Sequence, residues 1–293
     1  MFGVRRSAIG VTRHLQNPYN VSSIIIRMNS SSTTNKNTPA TPKKKKGTPE
    51  MNMANVPISY FGVMSDFYVP PKITTAPIKY WPKLLLKRVM VFASNTYNIV
   101  KFKRELGVPL RFNEWKDRAI EHYVRTNKVF AQACNEPSPV LKGNIISKKL
   151  DHVCGYHTMD VLKVRSATFP SGSVLSWELL KIENNPKVVM FNIIPDNDGV
   201  ALYVQFIMKL KTRQKIAVTK DDKVVQEKES SVEDYLVYTL NPTNQELILA
   251  GKLFESNYER GLKPEMDITD ANLMQKFLSI AADIHRDDPR KLK

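Results

Sequence analysis

Ser173–Glu183 reads SVLSWELLKIE and Val200–Lys220 reads VALYVQFIMKLKTRQKIAVTK. In the first, Leu175, Trp177 and Leu179 alternate with Val174, Ser176 and Glu178. In the second, Leu202, Val204, Phe206, Met208 and Leu210 share one side. A period of two puts alternate side chains on opposite faces of a strand, so both stretches predict β structure. Between them Lys187–Ile194 is apolar and β-branched, and Asp196–Gly199 is a turn signal. Asp221–Lys223 turns the chain again, and Val224–Glu229 and Asp234–Leu240 follow as two further strands. Short turns between successive strands favour antiparallel pairing, so this half of the chain predicts an antiparallel meander.

Upstream the period changes to that of helices. Pro70, Pro71, Pro77 and Pro82 give an extended lead-in, and Pro82 suits a first helical turn whose end is Gly107. Leu85, Leu86, Val89, Phe92, Ile99, Val100 and Phe102 alternate there with Lys83, Lys87, Arg88, Lys101, Lys103 and Arg104. The pattern predicts a basic amphipathic helix, kinked near Ser94–Thr96, with its apolar side packed. A second helix is expected from an Asn113 cap through Trp115, Ala119, Tyr123 and Phe130 to Cys134. A third is expected over Asn144–Val164, with Ile146, Leu150, Val153, Cys154, His157 and Val161 on one side. A last helix, capped by Thr269 or Asp270, carries Leu273, Met274, Phe277, Ile280, Ala281 and Ile284. Helices segregated from an antiparallel sheet make an α+β domain.

The chain has 293 residues and a formal charge of +16. Two cysteines, Cys134 and Cys154, exclude a disulfide scaffold and fit a reducing compartment. The charge is uneven: residues 1–49 hold nine bases and no acid, residues 72–128 carry a net +9, and residues 221–293 a net −5. The first 35 residues contain Arg5, Arg6, Arg13 and Arg27 among Ser, Thr and Asn, the composition of a mitochondrial transit peptide. Residues 36–60, with Lys43, Lys44, Lys45 and Lys46, predict a disordered basic linker. The longest run without a charge is Met51–Ser65, too short and too polar to span a bilayer.

Chemistry-bearing motifs are sparse. Asp151, His152, Cys154, His157 and Asp160 are the nearest thing to a metal cluster. Cys154 and His157 would share a helical face, but no CxxC pair, HExxH, GxGxxG, Walker loop or GxSxG elbow accompanies them. Metal, cofactor and enzymatic readings are therefore not favoured. The basic helix supplies the candidate functional face: Lys83, Lys87, Arg88, Lys101, Lys103 and Arg104, facing phosphates of RNA or of anionic lipid.

Four stretches carry a resemblance: FGVMSDFYVPP (Phe61–Pro71), LRFNEWKDRAIEHYV (Leu110–Val124), WELLKIENNPKVVMFNIIP (Trp177–Pro195) and LILAGKLFES (Leu247–Ser256). In these the chain resembles fungal mitochondrial inner-membrane ribosome receptors of the membrane-associated multicopy-bypass type. That family is related to an animal large-subunit mitoribosomal protein and to the C-terminal domain of the presequence-translocase motor anchor. The resemblance implies a cone-like fold of the nuclear-transport-factor-two type, a curved antiparallel sheet with helices in its concavity. It implies peripheral attachment on the matrix side, and as partners the mitochondrial large ribosomal subunit, an Oxa-type insertase, inner-membrane anionic lipids and nascent membrane proteins. The expected organisation is a transit peptide (1–35), the linker (36–60), lead-in and basic helix (61–110), receptor domain (111–260), and C-terminal helix and tail (261–293). A stoichiometric ribosomal subunit, a preprotein-import component and a pocket enzyme of the same fold are the rival readings.

Overall fold

The computed structural model describes residues 55–291 except 222, 268 and 269. The targeting segment and Lys43–Lys46 lie outside the described residues. Four helices come first: α1 (Trp81–Leu106), α2 (Phe112–Cys134), α3 (Pro139–Leu150) and α4 (Tyr156–Thr168). Five strands follow: β1 (Ser173–Ile182), β2 (Lys187–Pro195), β3 (Ala201–Lys220), β4 (Lys223–Leu240) and β5 (Leu247–Leu253). Helix α5 (Ala271–Ala281) closes the fold, and Asp270 caps it by accepting from the Asn272 and Leu273 amides.

The sheet is antiparallel throughout and is organised on β3. β4 pairs along nearly all of β3, and β5 pairs with the last third of β4. β1 and β2 lie end to end along the other side of β3, β1 against Thr212–Lys220 and β2 against Ala201–Lys209. Register shifts in all four ladders bend the strands, as bulges do. One face carries Val204, Phe206, Met208, Leu210, Leu236, Tyr238 and Leu240, buried against Phe102, Trp115, Ala119, Tyr123, Ile146 and Leu162 of the helices.

The upper half of the opposite face is covered as well. The lead-in from Val56 to Pro71 crosses it as a strap, burying Ile58, Phe61, Val63 and Val69 against Tyr203, Ile207, Tyr235, Val237 and Ile248. Residues 56–60, assigned to the disordered linker from sequence, are thus partly in the core. Gln205, buried on that face, fixes the strap: its Nε2 donates to the Gly62 carbonyl at 2.9 Å and its Oε1 accepts from the Met64 amide at 3.0 Å. Further along, the uncovered face carries cross-strand ion pairs: Lys209–Glu233 at 3.2 Å, Lys211–Glu183 at 2.9 Å and Lys215–Glu227 at 2.6 Å.

Three other expectations are corrected. α2 starts one residue before Asn113, with Arg111 at the cap position and no side-chain capping bond. The single helix expected over Asn144–Val164 is two, broken where His152 takes φ 61°. The break lets Val153 accept from the Leu249 amide and the Gly155 amide donate to the Leu249 carbonyl, at 2.8 and 2.9 Å, so the linker completes the outer edge of β5. Finally β4 is one strand of 18 residues, not two, because Ser230–Glu233 keep pairing with β3.

The edge of β2 is closed differently. Asn95 accepts from the Phe191 amide at 3.0 Å and donates to the Val189 carbonyl at 3.1 Å, and Asn98 donates to the Phe191 carbonyl at 2.9 Å. Asn135, after α2, does the same for the amide and carbonyl of Leu175 in β1. An unpaired buried amide costs about 1–3 kcal/mol. Asn95→Ala should therefore lower unfolding free energy by about 1–3 kcal/mol in urea titration, whereas Thr96→Ala, one residue away on the exposed side, should change it by less than about 0.5 kcal/mol.

Candidate functional site

α1 is delimited as its sequence predicts, with proline in the first turn and Gly107 at φ 62°, whose amide donates to the Lys103 carbonyl. It stays helical through Ser94–Thr96. Its orientation, however, is turned relative to expectation. The buried side holds Leu84, Val91 and Phe102 together with Lys87, while Asn95 and Asn98 serve the β2 edge. The expected packed residues Leu85, Leu86, Val89, Phe92 and Val100 point to solvent, joined by Met90 and Tyr97; Phe92 is 71% exposed and Tyr97 68%. At 100° per residue these seven spread over the side opposite Leu84, Val91 and Phe102.

The six predicted basic residues therefore do not form one surface. Lys83, Lys103 and Arg104 are exposed. Lys87 is 5% exposed and points inward; its ammonium donates to the carbonyls of Tyr258 (2.9 Å) and Arg260 and lies 5.5 Å from the Tyr68 ring. Burial, and next the charge of Lys83, lower its pKa below the ordinary lysine value. Arg88 donates to the Pro71 carbonyl at 2.7 Å. Lys101 lies 3.7 Å from Glu105 and 3.4 Å from the Gly199 carbonyl. Lys87 and Arg88 thus clasp the strap and the 254–260 loop, a fixture completed by Arg260, which pairs with Asp66 at 2.7 Å. The charge-neighbour pattern hides this, because nothing local says which lysine turns inward.

A second basic surface escaped the sequence reading. Arg125 and Lys128 on α2 and Lys148 and Lys149 on α3 are all exposed. Lys149 donates to Gln132, one turn beyond Lys128, at 2.7 Å, so the ends of the two helices adjoin. From His122 to Leu150 the only acid is Glu136. Lys209, Lys211, Arg213 and Lys215 of β3 face carboxylates across the sheet; the four on α2 and α3 have no such ladder opposite them.

The Asp151–Asp160 group is dispersed by the α3–α4 break. His152 turns outward to Glu246 at 3.1 Å, and Cys154 turns inward to Thr126 at 3.1 Å. Burial pushes the Cys154 thiol up to about 12 and that of Cys134 up to about 11. Among the described residues no group of three or more His, Cys, Asp or Glu side chains is placed to hold a metal ion. The helix-facing side of the sheet is filled: Trp115 stacks near Phe206, Phe206 near Tyr238, and Tyr238 donates to the Ala119 carbonyl at 2.7 Å. Beside them Asp234, 4% exposed, accepts from Tyr123 at 2.9 Å and pairs with Lys252 at 2.8 Å. Two open surface clefts of about 430 and 490 Å³ flank the domain, one beside Val161 and Arg165, the other beside Phe112 and Pro186 and reaching Phe191 at the margin of the core.

An α+β domain with an exposed basic surface on α2 and α3 and an outward apolar face on α1 has the surface chemistry of a binding scaffold. The family model described as MBA1-like protein matches residues 47–290, and the chain belongs to that family. It is 26% identical over 239 residues to the "Inner membrane mitoribosome receptor MBA1, mitochondrial" of Saccharomyces cerevisiae, covering 78% of this chain and 80% of the relative. The chain is accordingly a protein of the mitochondrial inner membrane, and among the described residues no helix is long and apolar enough to cross a membrane.

Buried histidines make the stability of this scaffold depend on pH. Burial, reinforced by Arg118, holds His122 near 4, and burial with Arg165 nearby holds His285 near 4. In the unfolded chain both take a proton near 6.5, so the unfolded state gains protons first as pH falls. The contribution is whole above that value and is lost progressively between about 6.5 and 4, at up to about 1.4 kcal/mol per pH unit for each histidine. Urea unfolding at pH 7 and pH 5 should show this loss, and His285→Gln should reduce the slope without removing it, since His122 and the half-buried His157 still contribute.

Proposed function

We propose that this chain is a mitoribosome receptor that holds the large subunit with its exit site beside an Oxa-type insertase, on the matrix side of the inner membrane. Nascent membrane proteins then reach the insertase without passing through the matrix. The mechanism is tethering: confining exit site and acceptor together raises their effective concentration without any catalytic step. Membership of the MBA1-like family and the similarity to a receptor of that name support the reading. The structural observation that carries it is the difference between bases paired within the sheet and bases left facing outward.

Arg125, Lys128, Lys148 and Lys149 supply the ribosome-facing cations in this reading, taking phosphates of rRNA and releasing their counterions. They occupy α2 and α3, leaving α1 for the membrane. Lys83, Lys103 and Arg104 then serve lipid phosphates, while Lys87, Arg88 and Lys101, each engaged with a backbone carbonyl, serve the scaffold.

Sedimentation of mitochondrial lysate over a range of salt tests the proposal. The chain should migrate with the large subunit at low salt and be released at high salt. Changing Arg125, Lys128, Lys148 and Lys149 to Glu should weaken attachment at least tenfold and reduce the log–log salt slope by up to about 3. Undiminished binding would retire this surface, absence from the large-subunit fraction at every salt concentration would overturn the receptor reading, and salt-resistant retention at one copy per particle would make the chain a ribosomal subunit instead.

A further inference from the structure

We infer that the outward face of α1 lies in the bilayer interface and sets the orientation of the domain on the membrane. The inference rests on the inner-membrane location but not on ribosome binding. Leu85, Leu86, Val89, Met90, Phe92 and Val100 are each half or more exposed, on a helix about 39 Å long. Single exposed apolar side chains need no explanation, but a set along about four turns of one helix does. This set is not surplus from a poor fit. Asn95, Asn98 and Lys87 bind backbone groups on the inward side, so the apolar residues cannot rotate inward without opening the β2 edge and the strap.

The rim selects the occupant. From Phe67 to Arg104 the sequence contains no Asp or Glu. Lys83 flanks the apolar face near its start, and Lys103 and Arg104 end it; Lys101 is held by Glu105. On the flank near the helix start, Glu259 accepts from Tyr80 at 3.1 Å. Trp81, 42% exposed, stands at the N-terminus with its Nε1 donating to the Ala76 carbonyl. An apolar helical face with aromatic residues and a cationic border is the chemistry of a helix lying at an anionic lipid surface, its apolar side some 5–10 Å into the headgroup–acyl boundary. A complementary protein groove would be met by the same apolar residues but would give no reason for a helix that carries six bases and no acid before Glu105.

The test is flotation of the full chain with vesicles of phosphatidylcholine alone or with a third phosphatidylglycerol. Binding to the anionic vesicles is expected, with quenching of protein fluorescence by brominated acyl chains. Trp81→Phe should abolish that quenching, because Trp115 is buried and Trp177 lies under α2. The double variant Leu86→Glu, Val89→Glu should lose at least tenfold in flotation. Its unfolding midpoint should be unchanged, since both side chains are exposed, and its co-sedimentation with ribosomes in the absence of lipid should also be unchanged. Retained flotation, or quenching that does not depend on Trp81, would overturn the assignment. Retained flotation with loss of ribosome binding would reassign the face to a protein or RNA partner. Loss of ribosome binding in the α2–α3 variants alone would leave this inference standing.

Discussion

An open sheet has edges, and each edge residue offers an amide and a carbonyl that must find partners. This chain answers with side-chain amides. Asn95 and Asn98 close the edge of β2, Asn135 closes that of β1, and Gln205 binds the strap across the back. Only β5 is finished by backbone, through Val153 and Gly155. The consequence for α1 is decisive. A helix that lays asparagines on a strand edge cannot also lay its full complement of leucine and valine there. Its surplus apolar residues must face outward, and the interaction surface follows from how the sheet is closed.

The same helix is fixed along its length. Near its start Lys87 and Arg88 hold the carbonyls of the 254–260 loop and of Pro71, and Arg260 ties that loop to Asp66 of the strap. At its far end Phe102 packs edge-on against Trp115 and Phe191. Gly251 lets the C-terminal segment approach the strap: its φ is 156°, and a Cβ there would overlap the Ala281 carbonyl oxygen. Cationic side chains that looked like ligands for phosphate are thus spent on orientation. A tether benefits from this, because a rigidly held helix transmits the position of its outer face to the rest of the domain.

Much of the fold was legible before any coordinates. Strict alternation in β1 and β3 marks strands with one apolar side, and Pro82, Gly107 and Asp270 mark helix ends through their backbone chemistry. What failed were features set by distant partners. The α3–α4 break depends on Leu249, a residue nearly one hundred positions away. β5 is a seven-residue stretch, apolar except for Lys252 and buried throughout, so it lacks the alternation that identifies a strand. For the candidate site, composition located the basic helix but not its rotation. Asn95 and Asn98, three apart and in line with Leu84, Val91 and Phe102, were the available signal. The α2–α3 cations were passed over because their segments also carry the core residues Trp115, Tyr123, Ile146 and Leu150.

The central claim is that the domain has a lipid side on α1 and a ribosome side on α2 and α3. Environment-sensitive fluorophores on Val89→Cys and on Lys128→Cys test it directly, since the native Cys134 and Cys154 are buried and their thiols are held protonated. The account predicts that the probe at 89 shifts to the blue with anionic vesicles and not with large ribosomal subunits, and that the probe at 128 responds to ribosomes and not to vesicles. A probe at 89 that remains in water on vesicle-bound protein, or that responds to ribosomes instead, would contradict it.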